Sequence, residues 1–336
     1  MSKRQIRVLI TGSGTVTCQS FIKGLRQQNE IDAYVVTTDM NPDSAGRYFS
    51  NAFYTTPAAK DEKFIPTLID IIKKEKIQLL VPIVDYEFDK VGANIEEFRK
   101  LGCITAISSP QTISIANEKE KTFKFFKEIG IDTPTTWMPN ELPNPKDIKY
   151  PIFIKPRTGR ASLDVYKINN AEDLQRHLID VDDPVLQEYV TGKEYTIDVL
   201  SDFNSRVIGI VPRQRVETKV GISYKGRTVD DPIMIEKAKL IAEKMRNVGH
   251  CNIQLFVTAE GRYCFFEINP RYAGTLTLTV AAGMNSPYLL CKMALGDKVE
   301  PIIGQYEKNL LMLRYWEEVY VRSNGTVLNI PKLQNV

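Results

Sequence analysis

Histidine is nearly missing from this 336-residue chain. His177 and His250 are the only two, so a histidine cluster or an assembled Ser-His-Asp triad is poorly supplied. Cysteine is sparse as well. Cys18, Cys103, Cys251, Cys264 and Cys291 are odd in number and contain no close pair, which argues against a disulfide scaffold or a zinc site and for buried thiols in a reduced, cytoplasmic protein. No apolar run approaches the roughly 18 residues that span a bilayer, so no membrane partner is expected. The basic start breaks at Gly12 after a short apolar stretch, unlike a secretion signal. Neither sign of charge dominates: 44 Lys and Arg face 41 Asp and Glu, a formal net charge of +3 that carries no nucleic-acid footprint. Internal repeats and low-complexity tracts are lacking too. What remains is a chain 43% hydrophobic and 25% charged, long enough for two or three domains. Its chemistry must rest on lysine, arginine and carboxylates, with a hard metal as an option.

The first hundred residues alternate apolar strands with amphipathic helices. Arg7-Val8-Leu9-Ile10 runs into Thr11-Gly12-Ser13-Gly14 and a helix with Phe21, Ile22 and Leu25. A strand at 34–37 ends at Asp39, and helices near 64–74 and 89–100 flank strands at 78–82 and 104–106. Such units imply a parallel sheet covered on both faces. Beyond Pro110 the texture changes. Asn117 reads as the cap of a helix that has Glu120 at its third position and stops at Gly130. From Tyr150 onward antiparallel strands with few helices are expected, apart from a helix at about 232–246 and one capped by Ser286 ahead of Pro287.

The segment 252–269 reads as a hairpin around Glu260-Gly261. Pairing outward puts Thr258 opposite Tyr263 and Gln254 opposite Glu267. Cross-strand neighbours lie about 4.5–5.5 Å apart on one face, and Asn269, two residues past Glu267, shares it. Gln254, Glu267 and Asn269 thus form an oxygen-only set with Arg271 beside it, either a solvated outer face or a seat for Mg²⁺. A second strand, Pro151-Ile152-Phe153-Ile154-Lys155-Pro156, delivers a lysine ahead of the polar run Arg157 to Ser162, which suits polyphosphate or is a plain hairpin; P-loop spacing is absent. A third, Val185 to Val190, turns at Thr191-Gly192 into a strand that places Glu194, Thr196 and Asp198 on one face. A linker there with free backbone groups suits adenine, and the carboxylate beyond it suits ribose; an edge strand with outward polar residues is the alternative.

Taken together, Phe153-Ile154-Lys155-Pro156-Arg157, Gln187-Glu188-Tyr189-Val190 with Gly192-Lys193-Glu194, and Glu267-Ile268-Asn269-Pro270-Arg271 resemble the ATP-grasp superfamily, in its carbamoyl-phosphate-synthase-like carboxylate–amine ligase branch. The resemblance covers nearly the whole chain. It implies a Rossmann-like parallel-sheet domain over 1–110, an ATP-grasp fold with antiparallel sheets in lobes 111–190 and 191–325, and a tail at 326–336. It implies ATP and one or two Mg²⁺ ions (or Mn²⁺) as cofactors, small-molecule carboxylate and amine substrates, and allows a homodimer. By the resemblance Lys119 and Lys155 bind phosphates, with Arg157, Ser162 and Gln187 also on the nucleotide; Glu188 and Val190 meet adenine largely through backbone, and Glu194 holds the ribose. Gln254, Glu267 and Asn269 carry the metal, Arg271 faces the transferred phosphoryl group, and Arg213 and Arg215 fall where relatives meet the acid or its acyl phosphate, a surface charge cluster being the equal alternative. Asp85 and Glu87 are placed for the second substrate or for helix capping.

Two departures stand out. Ala161 and Asp164 occupy loop positions where glycine is common, and Gln254 replaces an acid found in many relatives, which makes a second metal ion less secure. Two other functions stay open. Gly12-Ser13-Gly14 with Asp39 is reminiscent of a dinucleotide fingerprint, although Thr17 replaces its third glycine, so an NAD-binding oxidoreductase is one alternative. A non-catalytic nucleotide-binding protein of the same fold is the other.

Overall fold

The computed structural model describes residues 3–158, 164–219 and 221–329. The first unit runs β1 (Arg4–Ile10), α1 (Val16–Arg26), β2 (Ile31–Asp39), β3 (Ala52–Thr55), α2 (Phe64–Glu75), β4 (Leu79–Val81), α3 (Phe88–Ala93), α4 (Ile95–Lys100) and β5 (Ile104–Thr105). Its five strands are parallel in the order β3-β2-β1-β4-β5. Alternation along β1 explains why helices cover both sides. Val8 and Ile10 enter one core with Phe21, Ile22 and Leu25 of α1, whereas Leu9 enters the other with Phe64 and Leu68 of α2. The expected helix at 89–100 is two short ones, since Asn94 leaves helical geometry between them (φ −112°, ψ 13°).

Next come α5 (Pro110–Asn117) and α6 (Lys119–Glu128). Ser109 caps α5 by accepting from Thr112 N–H, so Asn117 ends a helix instead of starting one. Glu118 sits extended between the two helices, pinned by a β-bridge to Thr158, and Lys119 N–H donates to Arg157 O. Phe126 of α6 is buried with residues of the large sheet described below.

The strands β6 (Thr136–Trp137), β7 (Ile152–Pro156), β8 (Tyr166–Ile168) and β9 (Pro184–Glu188) form an antiparallel sheet in the order β6-β9-β7-β8. Helix α7 (Ala171–Asp180), absent from the sequence reading, covers it through Leu174. Its start is a short polar cap, Asn170 accepting from Asp173 N–H, with Glu172 and Asp173 favourably placed in the first turn.

The remainder comprises β10 (Lys193–Ser201), β11 (Val207–Lys219), β12 (Ile222–Thr228), α8 (Pro232–Met245), β13 (Gly249–Val257), β14 (Tyr263–Asn269), α9 (Leu276–Ala281), α10 (Ser286–Ala294), β15 (Leu311–Leu313) and a small pair, β16 (Tyr320–Val321) and β17 (Val327–Asn329). Six of these strands form one antiparallel sheet, β14-β13-β10-β11-β12-β15. Asn285, not Ser286, caps α10.

The large sheet positions the site. Its back presents Ile197, Val199, Ile253, Leu255 and Phe265 to Met234, Ala238 and Ile241 of α8. Its front changes character along the strands: Leu200 and Val211 join the first unit's core, while Thr196, Arg213, Gln254 and Glu267 lie further along. Among the described residues no helix is long and apolar enough to cross a membrane.

Candidate functional site

The front of the β13–β14 hairpin carries the oxygen donors. Gln254 pairs with Glu267 and Asn252 with Asn269, as expected, but the inner register differs: Val257, not Thr258, faces Tyr263. A β-bulge between Gln254 and Leu255 reconciles the two, because Leu255 pairs with Phe265 and leaves Phe266 as the extra residue. The bulge turns Phe266 to the half-buried face, where it stacks on Phe256 with ring centroids 4.7 Å apart. This aromatic pair was not singled out from the sequence, because only the bulge brings it to the site.

The donor chemistry fits a hard divalent ion. Glu267 supplies the carboxylate and has no ion-pair partner among the described residues, while Gln254 and Asn269 add amide oxygens. Gln254 Oε1 accepts from Arg215 Nη1 at 2.9 Å and Asn269 Oδ1 from Arg271 Nη2 at 3.2 Å, so each is aimed by an arginine. With one carboxylate and two amides, nucleotide phosphates and water would complete the shell.

On the small sheet, Ile152 and Ile154 point into the core, which turns Lys155 to the opposite face. Its Nζ donates to Gln187 Oε1 at 2.6 Å, and Gln187 Nε2 donates to Thr136 Oγ1 at 2.9 Å. Gln187 therefore positions the lysine. Burial and then the nearby Lys119 charge push the Lys155 ammonium down to about 8, against the pull of Glu267. Lys119, Lys155 and Glu267 thus share one electrostatic neighbourhood, although they come from a helix and two different sheets. A polyphosphate bound there would restore the proton. MgADP binding at pH 8 is expected to take up about half a proton and at pH 6 almost none, read by calorimetry in buffers of different ionisation enthalpy. Lys155→Met should abolish the uptake; unchanged uptake would remove Lys155 from the phosphate site.

Arg157 is less available than expected. It pairs with Asp183 at 2.7 Å and Glu120 at 3.3 Å, bracing the foot of the loop. Ser162 and Ala161 lie outside the described residues. Asp164 takes φ 54°, the left-handed region that favours glycine, where the resemblance also expected one.

The linker between β9 and β10 is clamped at both ends. Arg262 Nη1 donates to Glu188 Oε1 at 2.5 Å, Thr135 N–H donates to Oε2 at 3.0 Å, and Arg262 also grips Asp132. Burial opposes ionisation of Glu188, but these donors outweigh it and hold the carboxyl below its ordinary range. The Glu188 side chain is therefore committed, leaving backbone groups toward a base, beside the nearly buried Val190. A Cβ at Gly192 would fall 2.3 Å from Val257 O, so only glycine lets the linker lie against β13. Arg262 escaped notice because it reads as a surface turn residue.

Glu194 Oε1 forms an ion pair with Arg215 Nη1 at 2.9 Å. Burial raises its pKa, Arg215 opposes this, and Glu267 adds to it. Arg215 thus touches both Glu194 and Gln254, joining the expected ribose and metal positions.

Arg213 corrects the sequence reading. It is 1% exposed and bonded to Asp198 Oδ1 at 2.7 Å and Thr275 Oγ1 at 2.5 Å, which makes it a buried brace below the cleft. Arg271 instead reaches the first unit, where its Nε donates to Asp85 Oδ1 at 2.9 Å. Glu87 is buried near Thr11, Asp39 and Asp85; burial first, then the two aspartates, push its carboxyl up to about 8 against a Thr11 hydrogen bond. A raised carboxyl favours folding while protonated, a contribution present below about pH 4.5 and lost as pH rises through 8. Melting temperature is expected to fall from pH 6 to 9, and Glu87→Gln should flatten that fall. An equally steep decline in the variant would refute the burial effect.

The dinucleotide alternative loses its main support. Asp39, which would have to face a ribose, accepts from Gly14 N–H at 2.7 Å and Asn41 N–H at 3.0 Å. The fingerprint closes on itself.

An ATP-grasp fold is what these sheets and this cleft define. Residues 180–313 match the family described as "ATP-grasp in the biosynthetic pathway with Ter operon", and residues 8–107 match the PylC-like N-terminal domain. The carbamoyl-phosphate synthase of Methanobrevibacter smithii is 24% identical over 81% of this chain and 79% of its own. The D-alanine–D-alanine ligase of Fusobacterium nucleatum is 28% identical over 46% of this chain and 56% of its own. N5-carboxyaminoimidazole synthetase from Staphylococcus aureus, solved with ADP, superposes with a TM-score of 0.71 at 17% identity, covering 89% of this chain and 80% of that one. The chain spans only 20–30% of the carbamoyl phosphate synthase large chains it matches. The chain thus carries an ATP-grasp domain behind a PylC-like N-terminal domain, and its relatives, carbamoyl-phosphate synthases and a D-alanine–D-alanine ligase among them, mark it as a carbon–nitrogen ligase enzyme.

Proposed function

We propose that the protein phosphorylates a small carboxylic acid with MgATP and joins the resulting acyl phosphate to an amine, releasing ADP and phosphate. One observation carries this reading: a lone carboxylate, Glu267, and two amide oxygens on one sheet share their electrostatic surroundings with Lys155 of the other sheet and Arg215. Such a constellation suits a triphosphate with its metal.

Gln254, Glu267 and Asn269 would hold Mg²⁺, which supplies charge neutralisation on the phosphates when bound. Lys155, fixed by Gln187, donates to the same phosphates, with Lys119 adding a second charge. The linker at 189–192 receives the base and Glu194 the ribose. Arg271 stands beside Asn269 and stabilises charge as the acid attacks the γ-phosphorus. An amine then adds to the acyl carbon, the C–O bond to phosphate breaks with its electron pair, and the proton leaves to solvent or phosphate. Positioning and electrostatics suffice for both steps, in keeping with two histidines. We assign 1–110, 111–190 and 191–325 as the corresponding domains, with 326–336 as a tail.

The test is a pairwise screen of amino acids, small carboxylic acids and amines for ADP release with MgATP, followed by mass spectrometry of the product. Acid-dependent ADP release with an amide product supports the proposal. No stimulated ADP release from any pair would favour a non-catalytic nucleotide binder.

A further inference from the structure

Three guanidinium groups gather toward the β11–β12 side of the large sheet, and two of them are balanced. Arg213 has Asp198 and Arg215 has Glu194. Arg314 has neither. It follows β15 directly, its backbone N–H donates to Tyr224 O at 3.3 Å, and its Nη2 donates to Gly274 O. Among the described residues no carboxylate pairs with it.

Its position is informative. Gly274 lies three residues past Arg271, on the stretch that leaves the metal-bearing hairpin. A Cβ on Gly274 would sit 3.9 Å from Thr17 Oγ1 of α1 and 3.8 Å from Ile222 Cγ2 of β12. The Arg314 head therefore lies where the first unit, β12 and the exit of the hairpin meet. Along the shared rung, Arg213 is two strands from Gln254, about 10 Å, so Arg314 lies to one side of the metal donors. Its guanidinium is held below its usual range by burial first and then by Arg213.

Around Arg314 the chain is otherwise solvent-facing: Leu313 is 62% exposed and Tyr315 and Trp316 are each 79% exposed. One inward guanidinium on an outward strap, near another cation and hydrogen-bonded to one carbonyl, uses one of its five N–H donors among the described residues. An anion with planar geometry completes such a group better than water does.

We infer that Arg314 receives a substrate carboxylate that the reaction does not consume, so that at least one of the two joined molecules carries a carboxylate besides its reacting group. An α-amino acid on the amine side and a dicarboxylic acid on the acid side share this chemistry. The inference rests on the ligase reading above.

Two arms of one ADP-release experiment separate the sources. In the first, L-amino acids are compared with their carboxamides as the amine. In the second, succinate and glutarate are compared with their monoamides as the acid, with hydroxylamine as nucleophile. In one arm the wild-type protein should prefer the carboxylate by about 100-fold in kcat/KM, mostly through KM, and Arg314→Gln should erase the preference. Arg314→Lys should restore part of it, which a purely structural peg would not do, and it also serves if Arg314→Gln fails to fold. The inference is overturned if ADP release proceeds without any such preference, or if the preference survives in Arg314→Gln. Absence of ADP release from the wild type in every pairing would instead defeat the ligase reading, and the inference with it.

Discussion

Glu267→Gln is expected to lower kcat/KM for ADP release by about 10³-fold or more while leaving the fold intact. The change is nearly isosteric, and Glu267 is half-buried at the cleft without an ion-pair partner among the described residues, so no folding contact is lost. What disappears is the only carboxylate of the proposed donor set. Gln254, Asn269 and a third amide would offer oxygens without charge, and a divalent ion held between them and ATP would lose its chief protein anchor. The substitution also removes the negative charge that supports the Lys155 ammonium, so the lysine should lose its proton at lower pH. Two measurements test this together: steady-state ADP release, and the thermal shift produced by MgADP against ADP with chelator. Wild-type protein should show a larger shift with magnesium, and the variant should show little difference between the two. A variant that kept activity within tenfold, with an intact magnesium-dependent shift, would remove Glu267 from the metal site.

Much of this site was legible because strands impose a period of two. Ile152 and Ile154 in the core against Lys155 on the cleft face, or Tyr195 and Ile197 on one face against Glu194 and Thr196 on the other, follow from alternation alone. The opposition of Gln254 and Glu267 also came through, though for an incomplete reason: the simple register extrapolated from Glu260-Gly261 was wrong near the turn, and the bulge at Phe266 shifted it back. Alternation cannot say where along a strand the cleft ends. That is why Arg213 was read like Arg215, although the same face passes from the cleft wall into the core between them. Long-range partners were invisible for another reason. Arg271 meets Asp85 across 186 positions of sequence, and no local pattern encodes such a pair. Helix α7 was lost because its short run, with a single fully buried leucine, leaves little periodic signal. The boundary between α5 and α6 was misplaced because Glu118 is held extended by Thr158, a tertiary contact that overrides capping preference.

The brace below the cleft should carry the largest stability effect. Asp198 is fully buried and accepts from Arg213 Nη2 at 2.7 Å and from the Thr279 hydroxyl, with His250 Nε2 3.6 Å away. Burial opposes its ionisation, but Arg213 and His250 outweigh that and hold the carboxyl well below its ordinary range. Asp198→Ala would strand the Arg213 guanidinium in the interior with Thr275 alone, and a loss of about 3–5 kcal/mol is expected by urea denaturation. The depressed pKa also fixes the pH dependence. The contribution is present above the unfolded value near 3.8 and is lost as pH falls below it, so the gap between wild type and variant should narrow in acid. Adding Arg213→Met to Asp198→Ala should recover a large part of the loss, because an uncharged pair no longer needs solvation. The consequence reaches the site through one rung: Asp198 pairs with Asn252, whose Nδ2 donates to Arg271 O at 3.1 Å. Misplacing that rung would move Arg271 and Asn269 together, so the single variant should lose phosphoryl transfer even where it remains folded. A double variant less stable than Asp198→Ala, or a single variant within about 1 kcal/mol of wild type, would show that the ion pair is not the keystone of this wall.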